Sequence, residues 1–482
     1  MYDSEITHQR WWVSPSMCRP AALIVLWVGT LLGPLAGDAA AADGDENAAP
    51  KEIITWPDFI AKIEKDHPLM DAARAGLDSL KARADQADWG YFPSIKLTGA
   101  ASVVPTITGN ALASDTDWGQ IGLYGDARLE IVQPIYLFGR IEALQDAAKS
   151  GISVGRAAIE VARWELRARA AEAWYSIILA RELDGLLGDG KTWIDKAEAR
   201  MDKQRDEDSI DYDQLEHLRL KTRIAEFYEL QTKNRLLGEA ARAGLRVLLS
   251  RGPDETLPEV TGDMEPIEFQ PLGNAVYIEI ARANDPGLQL ARARAAAIDA
   301  LADAKSADLW PKFVVAGEVR TTHAPTIEKQ RSIYADDPFN RTFGTIGVGM
   351  EWRLDIPQRI FVADEARASA RRAIAEAKVQ EQLMEVNVTR LAQDLVNQRD
   401  LLEVYLMSRR ASQGWLTATW DTYESGFGNF RDVMDALVQF YQKRLGYLQV
   451  VYNHNLALFK LSQAIGADVR ALVPAPTSSP SE

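Results

Sequence analysis

From Arg140 to Arg205, and again from Ile360 to Tyr423, the sequence runs without a proline and with few glycines. Proline removes a backbone donor and clashes with the preceding turn, so its absence over such lengths permits unbroken helix. Each helix would extend about 100 Å at about 1.5 Å per residue. No single globular core offers a side that long. Shorter helices are expected at 57–90, 210–250, 274–309 and 430–465. One leading and one returning helix, laid end to end, match one long helix and can stack as a column beside it. In the last of them Leu437, Tyr441, Leu445, Leu448, Tyr452, Leu456 and Phe459 recur at threes and fours, the spacing of a packed helix face. Helices of this length need neighbouring columns, which other copies of the chain can supply.

Between the helices the period changes to two. Strands are expected at 94–104 and 119–132. In the second, Ile121, Leu123, Ala127, Leu129 and Ile131 alternate with Gln120, Gly122, Tyr124, Asp126, Arg128 and Glu130. Further along, Ile346, Val348, Met350, Trp352, Leu354 and Ile356 alternate with Thr345, Gly347, Gly349, Glu351, Arg353 and Asp355. Such alternation gives each strand one apolar and one polar face. A run of about 10–12 residues spans roughly 35 Å, enough to cross a bilayer at a tilt. The ordinary alternative is a soluble sandwich with the apolar face in a core. One chain supplies four such strands, too few to close a barrel.

The two halves of the sequence resemble each other. HPLMDAARAGLDSLKARADQADWGYFPSIKLTG (67–99) aligns without a gap on DPGLQLARARAAAIDALADAKSADLWPKFVVAG (285–317), so that Pro68 meets Pro286 and Gly99 meets Gly317. IGLYGDARLEIVQPIY (121–136) aligns on IGVGMEWRLDIPQRIF (346–361). Alanine-rich helices resemble one another by chance, but the shared proline and glycine positions argue for duplication.

The termini and composition narrow the function classes. The apolar run AALIVLWVGTLLGPL (21–35) follows Arg10 and Arg19 and precedes AGDAAAAD (36–43), the order of a secretory signal, with cleavage expected at 40–42. Met17 is an alternative start. The run falls short of the ~20 apolar residues of a membrane anchor helix. The single cysteine, Cys18, precedes the apolar run, so the mature chain is expected to carry no disulfide. A net charge of −15 with a pI near 5.0 argues against nucleic-acid binding. Past the signal no run suits a spanning helix, so a crossing would use closed β-strands. No catalytic group, cofactor site or metal site is expected. GISVG (151–155) matches the pattern of a nucleophile elbow but lies inside a helical run. His67, His217, His323 and His454 are scattered.

One short stretch remains: YESGFGNFRDVMDA, 423–436. Gly426 and Gly428 permit a turn between helices. Asp432 and Asp435 lie three residues apart. From the residues alone, Asp432 caps the returning helix with Asp435 solvated in its first turn. A hydrolytic carboxylate pair is a second possibility.

Taken in order, YFPSIKLTGA, RLEIVQPIYLFGR, LWPKFVVAGE and the run from Tyr423 to Gly466 resemble the outer-membrane efflux protein family, the TolC-like exit ducts. The resemblance covers about 53 to 468. It implies a mainly α protein with β: a trimeric, long α-helical periplasmic barrel continuous with a 12-stranded transmembrane β-barrel, with two structural repeats per chain. The division would be a leader at 1–42, a first repeat at 43–250, an equatorial linker at 251–272, a second repeat at 273–467 and a tail at 468–482. Loops 105–117 and 323–342 would face outside the cell. The resemblance also implies a homotrimer in outer-membrane lipid, working with a periplasmic adaptor and an inner-membrane transporter to pass cargo outward without chemistry of its own. The competing class is a soluble periplasmic helical scaffold without a pore.

The same resemblance gives the short stretch a role. Tyr423, Gly426 and Gly428 would form the turn at the periplasmic entrance, and Asp432 and Asp435 would make two stacked carboxylate rings across three copies. The family often has a basic residue where this chain has Gly428; Arg431 is the nearest cation. At the other tip, RDEDSIDYDQLEH (205–217) has no glycine and is dense in acid. Asp208, Ser209, Asp211 and Asp213 would form an adaptor-docking tip, or a solvated turn.

Overall fold

The computed structural model describes residues 52–110, 112–207 and 212–472. The signal region, Cys18, the tip residues Asp208, Ser209 and Asp211, and the end of the tail lie outside the described residues. The elements follow in the order β1 (Ile53–Ile54), α1 (Trp56–Asp66), α2 (Pro68–Asp88), β2 (Ser94–Asn110), β3 (Ala113–Tyr136), α3 (Arg140–Asp206) and α4 (Gln214–Leu248). Then come β4 (Glu259–Val260), α5 (Asn274–Asn284), α6 (Pro286–Ala307), β5 (Lys312–His323), β6 (Thr342–Glu351), α7 (Ile356–Glu424) and α8 (Phe430–Ile465).

The long helices run 67 residues in α3 and 69 in α7, as their proline-free sequences predict. The leading helices differ from expectation, because each is broken by its proline. The residue before proline is pushed out of the helical region. His67 accordingly sits at ψ 132° and Asp285 at ψ 114°. Each break is then used as a new helix start. The His67 ring accepts from the Leu69 N–H at 3.1 Å, and the Asp285 carboxylate from Gly287 N–H at 2.8 Å.

The strands also differ. The β2–β3 hairpin reaches past 104 to Asn110 and back from Ala113, so the expected outer loop 105–117 is mostly strand. Thr106, Ile107 and Thr108 are β-branched and keep pairing, with a register shift between Pro105 and Thr106. In the second half the alternation read as far as Ile356 stops short. The strand ends at Glu351, and Ile356-Pro357 opens α7, where proline suits a first helical turn.

The strands form one antiparallel sheet in the order β2-β3-β5-β6, open at β2 and at β6. Its two faces are unlike. Leu97 and Ile121 are 76% and 67% exposed, and Ile346 and Val348 lie bare on the same apolar side. The other side carries an ion-paired ladder. Arg320 grips Asp126 through two nitrogens, at 3.0 and 2.7 Å, and Arg128 reaches Glu318 at 3.4 Å.

Below the sheet the helices lie side by side. The first long helix packs on α2, α4, α6 and α8, and the second on α5, α6 and α8. One core gathers Phe59, Trp174, Leu166 and Val451, where the Phe59 and Trp174 rings stack at 5.5 Å. A second gathers Tyr277, Leu288, Val388, Leu458 and Ile465. Buried alanines such as Ala170, Ala171 and Ala281 let backbones approach closely. The segment 251–272 runs over this layer. Its β4 pairs in parallel with β1, and Asn455 of α8 holds it by accepting from Ile267 N–H and donating to the Glu265 carbonyl, both at 2.9 Å.

Candidate functional site

The turn between α7 and α8 is built as its glycines predict. The N–H of Phe427 donates to the Thr422 carbonyl at 3.1 Å and that of Gly426 to Tyr423 at 3.0 Å, closing the helix end, with Gly426 at φ +80°. Gly428 serves by a different route. A β-carbon there would lie 2.7 Å from the Tyr423 backbone nitrogen, so the chain doubles back too tightly for a side chain. The cap of α8 is Asn429, whose side chain accepts from Arg431 N–H at 3.1 Å. The reading of Asp432 as the cap is therefore corrected: the helix starts three residues earlier than that reading needs, and Asp432 falls inside the first helical turn.

Asp432 and Asp435 point away from the packed side of α8. Val433, Ala436 and Leu437 are buried, whereas both aspartates are exposed one turn apart. Neither carboxylate meets a cation among the described residues. An acid at the start of a helix is favoured by the helix dipole, so the unpaired charges are tolerated there.

Tyr423 is gripped from α3. The guanidinium of Arg200 donates to its hydroxyl and lies 5.6 Å from its ring centre and 5.0 Å from that of Phe430. The contact extends upward: Trp193 meets Trp420 edge-on at 5.1 Å, and the Lys196 ammonium sits 5.6 Å from the Trp193 ring. Arg431 turns outward to Glu216 of α4 at 3.7 Å. The sequence reading missed Arg200, which is 223 positions from its partner. A motif search within 423–436 had no means of reaching it. At the other tip, Asp213 caps α4, its carboxylate accepting from Leu215 N–H at 2.8 Å. Beside it His217 is buried, with Tyr212 3.3 Å from its Nδ1. Among the described residues no cluster of His, Cys, Asp and Glu could hold a metal ion, and no helix is long and apolar enough to cross a membrane.

Residues 277–467 match the family model described as outer membrane efflux protein. This stretch is similar to the outer membrane efflux protein family. The matched stretch runs from within α5 to the end of α8, and so contains the second strand pair, the second long helix and the turn just described. The fold agrees over a longer span. The chain superposes on the Campylobacter jejuni CmeC outer membrane channel with a TM-score of 0.71 at 13% identity, covering 91% of this chain and 94% of that one. For VceC of Vibrio cholerae the TM-score is 0.67 at 15% identity, covering 85% and 96%. For the open state of Neisseria gonorrhoeae MtrE it is 0.68 at 16% identity, covering 86% and 89%. No curated protein sequence matches the chain.

Proposed function

We propose that the chain is one subunit of an outer-membrane exit duct in a Gram-negative envelope, passing cargo from the periplasm or an inner-membrane pump to the exterior. The observation that carries this reading is the two-faced sheet. Its bare apolar side suits lipid and its ion-paired side suits an aqueous lumen. A soluble scaffold would fold that apolar side inward, yet Leu97, Ile121 and Ile346 remain open.

Closure follows from the free edges. Unpaired strand edges cannot persist in lipid, so β2 of one copy meets β6 of the next. Three copies of the four-stranded sheet give twelve strands. The helices also call for neighbouring copies. Leu383, Val386 and Met407 on α7 are exposed, as are Leu236 and Val247 on α4, and the margins of neighbouring copies would cover them. The matched halves of the sequence, each with two short helices, two strands, a long helix and a returning helix, act as two repeats of one hairpin unit, and 251–272 belts the tube.

At the tip, three copies bring Asp432 and Asp435 into two stacked acidic rings that favour cations. Arg200 serves as the latch, holding the α7–α8 turn to α3 through Tyr423 and Phe430. The tips, including the acidic stretch with Asp208, Ser209, Asp211 and Asp213, receive a periplasmic adaptor bound to an inner-membrane transporter, which supplies the energy. No chemical step is needed. The protein purified in detergent and inserted in a planar bilayer should conduct with a preference for cations. Asp432→Asn with Asp435→Asn should abolish that preference. A detergent-free, water-soluble monomer would remove the duct reading altogether.

A further inference from the structure

The segment joining β5 to β6, residues 324–341, crosses the polar face of the sheet. Gly122 faces the same side as Tyr124 and Asp126. A β-carbon at position 122 would lie 1.7 Å from Thr326 Oγ1, so the segment fills the space a side chain would occupy. Past β3 it reaches β2. Ile327 bridges Ile107, the Glu328 N–H donates to the Ile107 carbonyl at 2.9 Å, and the Glu328 carboxylate accepts from Gly109 N–H at 2.9 Å. On the way back Phe339 meets Tyr124 edge-on at 5.9 Å.

Its backbone is held largely by its own side chains, although the buried Thr326 hydroxyl has no partner among the described residues. Asp337, only 8% exposed, accepts from the N–H groups of Gln330, Phe339 and Asn340 at 2.9–3.0 Å. The Asn340 side chain accepts from Ala324 N–H at 2.9 Å and donates to the Ile327 carbonyl at 3.2 Å. Ala324 and Ile327 are buried. Long connections are usually functional when ordered, and one tied by internal hydrogen bonds from Asp337 and Asn340 does not drift with solvent.

We propose that residues 324–341 form a fixed strap folded inward across the outer mouth of the lumen, a second constriction that sets the width of what can leave. This rests on the duct reading, since the polar face must line an aqueous passage. Three straps would narrow the mouth from three sides. The constriction is independent of the entrance latch, because it is held by the sheet and not by the helices.

The test uses a single thiol below the strap, Ala100→Cys in a Cys18→Ser chain, with Ala100 paired to Asp126 on the polar face. Intact cells are treated from outside with a small methanethiosulfonate and with maleimides carrying poly(ethylene glycol) of rising length. With the strap in place the small reagent should react and the long ones should not. Gly122→Leu, which takes the place of Thr326, and Asp337→Ala, which removes the hub, should each admit the long reagents. An unchanged size limit in both variants would overturn the strap. Separately, Ile107→Cys with Ile327→Cys should form a disulfide on oxidation; failure to form it overturns the strap whatever the labelling shows. If no reagent reaches Ala100→Cys while Leu97→Cys reacts freely, the polar face is not a lumen, and the duct reading falls with the proposal.

Discussion

Arg200 and Gly428 show how much the tip depends on single side chains. The Arg200 guanidinium combines a hydrogen bond with two ring contacts, and a partly exposed cation over an aromatic ring contributes about 1 kcal/mol. Arg200→Ala should therefore raise the open fraction of the entrance about fivefold, read as open probability in single-channel records. Arg200→Lys should restore part of the ring contact without the planar fork. Gly428→Ala places a methyl against the Tyr423 backbone, which has no room to yield. Overpacking of this kind costs about 1–3 kcal/mol and should appear as protease sensitivity confined to 423–431. The turn itself was legible in the sequence, since two glycines between apolar helices have few other uses. The grip of Arg200 on Tyr423 was not, because nothing in a linear motif brings α3 against the end of α7.

At the scale of elements, the segment 251–272 and the returning helix α8 are joined by a titratable clamp. His454 is 2% exposed and its Nε2 lies 3.0 Å from the Ile267 carbonyl, while Nδ1 is buried without a partner. Burial lowers its proton affinity; the Ile267 carbonyl opposes this in part, and Arg399 adds to the lowering. A histidine whose folded pKa is depressed contributes stability in full above its ordinary value near 6.5 and loses it as pH falls through the folded value. Cleavage of the segment 261–272 by a protease should thus quicken between pH 7.5 and pH values below about 6. His454→Gln, which keeps a donor and cannot titrate, should flatten that dependence. Asn455→Ala should loosen the segment at every pH, by about 1–3 kcal/mol, because it strands the Ile267 N–H and the Glu265 carbonyl. The proline breaks at His67 and Asp285 belong to this scale too. The sequence reading carried each helix through its proline because the apolar pattern continues on both sides; the backbone does not.

For the whole molecule, the prediction concerns which side of the sheet tolerates charge. Leu97 and Thr98 are adjacent but face opposite sides. Leu97→Arg puts a cation on the side read as lipid-facing, at a cost of about 2–4 kcal/mol near the middle of a bilayer. It should deplete the protein from the outer-membrane fraction, whereas Thr98→Arg should leave assembly intact. If the two variants assemble equally, the sheet does not sit in lipid. A paired test on the helical margin, Val386→Glu, should weaken association of copies without unfolding the isolated chain, since Val386 is 68% exposed and packs on no core of its own.

Periodicity alone determined the long helices and the two-faced strands, because each is a local rule about where apolar side chains recur along the backbone. The glycine turn and the exposed acids of α8 followed from the same local rules. Only the folded chain decided the rest. Arg200 meets Tyr423, Asn455 meets Glu265 and Ile267, and Thr326 finds the niche at Gly122 across distances in sequence that no periodic pattern spans. These are contacts between surfaces, and a surface exists only once the helices and strands have been laid side by side.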